Sequence, residues 1–234
     1  MIRRLPAVDS GVQKPWHDIP VEHVLSDGTP VMIWPLLPTD GQSLRQAFSE
    51  LSPRSRRLRF LSPLDDLDSA MLRRLVDEVD QDHHVAFVMV AFPTDGRPEH
   101  PIGVARLVAY NDDPSTAELA VTIVDEWQGF GGGTLLADVL MHHRPERVRR
   151  LLTEVATDNP ASIALLRRLG DLRLRLSYPG VYEATVALSL AGDGEVGGVD
   201  QPGGDVRHRE ADGSSAVLDQ LRSQLENARH PSLL

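Results

Sequence analysis

The chain contains no cysteine. That absence removes disulfides, thiolate metal sites and thiol nucleophiles from consideration. It contains a single lysine, Lys14, against 23 arginines, so acylation of its own internal lysines has almost no target. No run approaches the roughly 18 consecutive apolar residues of a membrane span. The first twenty residues, MIRRLPAVDSGVQKPWHDIP, have two arginines but no apolar stretch of the length a secretion signal needs. Positive charge is also in short supply: 34 acidic against 24 basic residues leave a net charge of −10. A surface of that sign argues against nucleic acid and suits cationic partners such as amines. These absences together predict a cytoplasmic protein that is neither nucleic-acid-binding nor membrane-bound.

What is present is enough for one self-sufficient core. A length of 234 residues, 41% of them apolar, predicts one domain plus a tail. Residues 1–20 read as an irregular, proline-punctuated arm. VEHVLSDGTPVMIWPL alternates about Asp27-Gly28, the signature of a hairpin. Helical spacing follows from Asp40 to Leu51 and from Asp66 to Val79, with the arginine-rich segment LSPRSRRLRFLSP between them reading as a solvated helix face. HVAFVMVAF, IGVARLVAY and TAELAVTIV, joined by tight turns, predict an antiparallel meander. TLLADVLMHH is helical, RRLLTEVAT strand-like and NPASIALLRRLG helical. In the last of these, Asn159-Pro160 opens the helix and Gly170 suits its stop. LRLRLSY and VYEATVALSL close a domain spanning 21–190. Residues 191–215 hold 7 of the 18 glycines and no aromatic residue, so they cannot offset chain entropy and are expected to be a disordered linker. Within 216–234, Val217, Leu218, Leu221 and Leu225 share one face of a short amphipathic helix.

The segment WQGFGGGTLL, residues 127–136, carries the most chemistry. A strand ends, glycines crowd a turn and an apolar helix begins, which is the architecture of an anion site or of a plain tight turn. A Walker loop would need lysine where Gly133 stands. A dinucleotide fingerprint would need Gly or Ala where Thr134 stands, early in a parallel unit. The pattern Gln/Arg-x-x-Gly-x-Gly/Ala is matched by Gln128, Gly131 and Gly133.

On these residues the chain resembles the GNAT superfamily of N-acetyltransferases, with the order of elements fitting from Val21 to Leu188. DHHVAFVMV, AELAVTIVDEWQG and LSPRSRRLRF are similar to bacterial Pat-type protein lysine acetyltransferases. The resemblance implies a mixed α/β fold whose central, mostly antiparallel sheet of six to seven strands is flanked by helices. It implies acetyl-CoA as cosubstrate and no metal. Its pyrophosphate would be held by Gln128, Gly129, Phe130, Gly131, Gly132, Gly133 and Thr134, and its pantetheine by the strand edge at Val121, Thr122 and Ile123. Asn159 matches a family asparagine near the cofactor and reads equally as a helix cap. Phe130 stands where the family often has a basic residue, and Leu166 where many members have the tyrosine that protonates the departing thiolate.

An amine must be neutral to attack a thioester, and lysine, with a pKa of ~10.4, is almost wholly protonated at neutral pH, so a base is required. The resemblance points to Glu118; a water-facing strand glutamate is the plainer reading. His83 and His84 compete as bases, and His142-His143 reads as a helix end. With no thiol nucleophile, transfer is expected by direct attack on acetyl-CoA. The acceptor is a protein lysine or a small amine, the chain a monomer or homodimer. A non-catalytic acyl-CoA sensor is the competing class.

Overall fold

The computed structural model describes residues 19–188. The expected linker and C-terminal helix, and all of the N-terminal arm but Ile19 and Pro20, lie outside the described residues. Within them eight strands form one sheet in the order β1-β2-β3-β4-β5-β6-β8-β7. They are β1 (Val21–Val24), β2 (Pro30–Pro35), β3 (His84–Ala91), β4 (His100–Ala109), β5 (Thr116–Ile123), β6 (Arg150–Ala156), β7 (Asp171–Tyr178) and β8 (Val181–Ala187). That exceeds the six to seven strands expected, because the N-terminal hairpin is part of the sheet: β2 pairs along its length with β3. The hairpin turn is built as its residues dictate. The Asp27 carboxylate accepts from the Thr29 backbone N–H and hydroxyl, and Gly28 takes φ +90°.

All neighbours are antiparallel except β5 and β6, which run parallel and pair as a ladder only at Thr116–Arg150 and Ala117–Leu151. Beyond that point the two strands diverge and the sheet splits open. Every residue of β3 is buried, so both of its faces are covered. Val85, Phe87, Met89 and Ala91 belong to the main core cluster together with Leu136 and Leu140 of α4 (Gly132–His142). The opposite face is covered by α1 (Gly41–Ser49) and α2 (Pro53–Phe60), with α3 (Ser69–Leu72) leading into the turn whose Leu75 meets Arg106 of β4.

Two local expectations are corrected. The helix predicted over Asp66–Val79 is α-helical only at Ser69–Leu72 and widens into a π turn over Arg73–Asp77, with the Glu78 N–H reaching the Arg73 carbonyl at 3.2 Å. The Leu75 carbonyl inside that turn accepts instead from Arg106 of β4. Gly170, at the end of α5 (Pro160–Leu169), does not adopt a left-handed stop. Its φ of 167° is ordinary extended backbone, and glycine is needed because a Cβ there would lie 2.2 Å from the Ala187 carbonyl oxygen.

Candidate active site

The split between β5 and β6 opens a cleft of about 940 Å³. Its inner corner is sharply defined. Glu118 is the first residue past the last parallel pair, and its side chain is exposed. Tyr110 donates across the corner to the Leu152 carbonyl at 3.3 Å, and the Thr153 hydroxyl donates to the Leu119 carbonyl at 3.2 Å. These two bonds tie β6 to the end of β4 and to β5 at the point where the ladder ends.

Strand alternation decides which backbone groups face the opening. The Tyr110 N–H bonds the Thr116 carbonyl and the Val124 N–H bonds the Ile102 carbonyl. With the β4–β5 register, residues 116, 118, 120, 122 and 124 direct their backbone groups at β4. Residues 119, 121 and 123 direct theirs at the gap. Thr122 therefore cannot pair with an incoming chain through its backbone, which corrects the expectation for that residue. Val121 can, and so can the N–H of Ile123. The Ile123 carbonyl already accepts from the Gln128 side chain at 2.9 Å.

At the far end of β5 the glycine turn feeds α4. Gly131 is the N-cap with φ +91°, and Gly129 has φ +85°, both in the region that favours glycine. The first intrahelical bond runs from the Leu135 N–H to the Gly131 carbonyl, leaving the amides of Gly132, Gly133 and Thr134 without intrahelical acceptors. Gly129, Gly131, Gly133 and Thr134 line the cleft, and a Cβ at Gly129 or Gly131 would meet nothing within 4 Å. Of the remaining turn residues, Phe130 packs against the core and its carbonyl accepts from the Ser26 N–H, while Gly132 is buried against Met89 and Leu25. Neither lines the cleft. The Gln128 amide braces the turn through Ile123 and, at 3.3 Å, the Ser55 hydroxyl. Asn159 lines the cleft and is nine-tenths buried, its Oδ1 accepting from the Ser162 N–H at 3.1 Å. The cap reading therefore holds, with its amide nitrogen left for another partner.

Helix α2 roofs this cleft, which the reading of its arginines as a solvated face missed. Asp125, beside the end of β5, accepts from the Ser52 N–H, the Ser52 hydroxyl and the Ser55 hydroxyl. Burial pushes that carboxyl up, but the hydrogen bonds prevail and hold it below the usual carboxylate value. On the other lip, Arg57 pairs with Asp158 at 2.6 Å and Arg54 donates to the Asp158 carbonyl. The helix thus bridges both sides of the split. The proline-bounded run carries no periodicity that marks this role, and the partner carboxylates lie 70 or more positions away.

The histidine candidates fall elsewhere. His84 is buried, accepts from Arg106 Nη1 at 3.1 Å, and is pushed down to about 4 by burial and by the Arg106 charge. His83 is exposed beside Asp80 and Asp82. The His143 ring packs on Phe87 with centroids 5.3 Å apart at the end of α4. Among the described residues no cluster of three His, Asp or Glu side chains could hold a metal. Two tyrosines line the cleft: Tyr110, which no sequence signal identified, and Tyr178, which lies near the family's tyrosine position in sequence without matching it. Burial first, and then the charge of Glu118 for Tyr110 and of Glu154 for Tyr178, raises both phenols above their ordinary value.

Comparison with known proteins gives the family. The profile of the Acetyltransferase (GNAT) domain matches residues 32–170. This chain belongs to the GNAT acetyltransferase family. It is 36% identical over 126 residues to Acetyltransferase PA5475 of Pseudomonas aeruginosa, covering 54% of this chain and 63% of that protein. It is 32% identical over 142 residues to Acetyltransferase Pat of Mycolicibacterium smegmatis, covering 60% of this chain and 41% of that one. The chain therefore spans less than two thirds of either relative. The GNAT domain of S. lividans PAT superposes with a TM-score of 0.59 at 22% identity, over 75% of this chain and all of that domain. The ribosomal L7/L12 N-acetyltransferase RimL, solved with coenzyme A, gives 0.51 at 17% identity, over 68% of this chain and 94% of that one. At such identities these two speak for the fold. GNAT enzymes use acetyl-CoA, and the uncommitted amides at the start of α4 suit its pyrophosphate.

Proposed function

We propose that this GNAT domain is an N-acetyltransferase that passes the acetyl group of acetyl-CoA to a primary amine by direct attack, with Glu118 as general base. The observation that carries the reading is the order of parts along one cleft. Free helix-start amides lie at one end, the open edge at Val121 and Ile123 in the middle, and an exposed carboxylate at the corner.

Bound acetyl-CoA supplies an activated thioester. Gly133 and Thr134 offer amides and the helix dipole to its phosphates, and Val121 and Ile123 offer strand-edge groups to its pantetheine amides. An Ile123 or Val121 N–H facing the reacting carbonyl stabilises the negative charge that develops on oxygen. Glu118 takes the proton that the amine nitrogen loses as the N–C bond forms and the C–S bond breaks. With Leu166 buried where many relatives have tyrosine, Tyr110 and Tyr178 are the phenols available to protonate the leaving thiolate, and their raised values keep them protonated at neutral pH.

A protein lysine as acceptor rests on the likeness to Pat-type enzymes; a small amine is the alternative. Leu166 also favours a second reading, a sensor that binds acyl-CoA without turnover. Calorimetry with acetyl-CoA tests the cleft, with a Gly131→Asp, Gly133→Asp double variant expected to lose micromolar binding. Absence of binding to folded wild type would sink the reading. Glu118→Gln then separates enzyme from sensor: in an enzyme kcat falls by about 10²–10⁴-fold while acetyl-CoA still binds.

A further inference from the structure

A second cavity of about 50 Å³ lies under α1 and α2, with walls that include Leu36, Leu44, Phe48 and Val88. It shares Arg59, Phe60 and Thr122 with the large cleft, so it opens on the face of β5 that carries Glu118. Two guanidinium groups line this otherwise largely apolar space, Arg59 of α2 and Arg106 of β4. Arg106 is 5% exposed and cannot swing away, because its Nη1 donates both to the Leu75 carbonyl at 3.0 Å and to His84 Nε2 at 3.1 Å. The π turn is what presents that carbonyl to it. Arg59 lies over the Phe60 ring at 4.8 Å.

Among the described residues neither guanidinium has a carboxylate within 4.0 Å, and Arg59 has no hydrogen-bond partner. Each α2 arginine but this one is tied to a carbonyl or a carboxylate: Arg54 and Arg57 to Asp158, Arg56 to Leu51, Asp65 and Ser49. The one carboxylate lining the small cavity, Asp40, accepts from the Leu37 N–H at the entrance to α1. Burial, followed by the charge of Arg59, brings Arg106 down to about 9; Glu118 opposes the shift. Two like charges brought together in an apolar pocket are costly unless an anion joins them.

We infer that Arg59 and Arg106 form a carboxylate subsite, and that the acceptor is a small amine bearing a carboxylate. The inference rests on the transferase reading above and names its substrate class. The guanidinium fork matches a planar carboxylate, and the small volume with apolar walls suits a short alkyl chain behind it. A protein lysine side chain entering here would bring a third cation beside two guanidiniums that Glu118 offsets only in part, whereas a carboxylate would supply the missing negative charge.

The test has two arms. In the first, CoA release from acetyl-CoA is followed with matched pairs differing only in the carboxylate: leucine and 3-methylbutylamine, phenylalanine and 2-phenylethylamine, 4-aminobutyrate and propylamine. Per unprotonated amine, kcat/KM of the preferred pair should favour the carboxylate member by at least about tenfold. That ratio should collapse towards one in Arg59→Gln and be reduced in Arg106→Lys, which keeps the charge but not the fork. Equal turnover within every pair, or turnover confined to lysine peptides, overturns the subsite and leaves the transferase reading standing. In the second arm, the arginine Nε–Hε resonances of the CoA-bound protein are followed during addition of 4-methylpentanoate, a carboxylate with no amine. Saturating shifts of Arg59 and Arg106, with that of Arg106 lost in Arg59→Gln, support the subsite. Unmoved resonances at tens of millimolar overturn it. If no amine is acetylated although acetyl-CoA binds, the transferase reading fails, and the titration still decides the subsite by itself.

Discussion

At the residue scale, single side chains here are set by neighbours far away in sequence. His84 shows the consequence most directly. Buried and facing Arg106, it stays neutral in the fold at a pH where a free histidine would charge. The unfolded chain binds that proton near pH 6.5 and the folded one only near pH 4. Unfolding therefore takes up a proton between these values, and stability falls as pH drops through that window. Denaturant melts of wild type and His84→Gln across the window should show a flatter pH dependence in the variant, whose amide oxygen can still accept from Arg106. Equal slopes would mean another group titrates. The sequence shows His84 only as one of two adjacent histidines at a strand start, and nothing local says which of them is enclosed. Glu118 is different: the family resemblance is what singles it out, and by alternation alone it reads as a water-facing strand glutamate.

Elements carry a different kind of information. The hairpin at Asp27-Gly28, the three-strand meander, α4 after the glycines and α5 after Asn159-Pro160 all form where local chemistry points, because turn residues and periodicity act within a few positions. Gly170 belongs to the other class. Its location at a helix end suggests a stop, whereas its actual constraint is the Ala187 carbonyl of β8. Gly170→Ala should lower stability by about 1–3 kcal/mol through overpacking, since backbone rather than a flexible side-chain tip must move. Thermal or denaturant unfolding measures this; a neutral result would show that the α5–β7 junction can shift. The π turn after α3 likewise answers to Arg106, which no spacing in residues 66–79 reveals.

For the whole molecule, the decisive feature is the parting of β5 from β6. Both strands are recognisable, but their parallel contact ends after two residue pairs. The alternation along β5 then divides its amides into two sets. Val121 and Ile123 should exchange hydrogen quickly in the free protein and slow on addition of acetyl-CoA, whereas Ala120 and Thr122, bonded to β4, should be protected in both states. Hydrogen exchange resolved by residue checks this, and uniform protection along β5 would contradict an open edge.

The amino-acid sequence by itself determined the elements, their order, the glycine turn and the family likeness, because each rests on interactions between residues close together in the chain. Tertiary structure alone decided that Thr122 turns its backbone away from the cleft, that Phe130 packs inward, that α2 bridges the split from Asp125 to Asp158, and that Arg59 and Arg106 meet in one pocket. Those facts depend on strand register and on groups brought together across 47 to 101 positions of chain, distances over which no local pattern carries information.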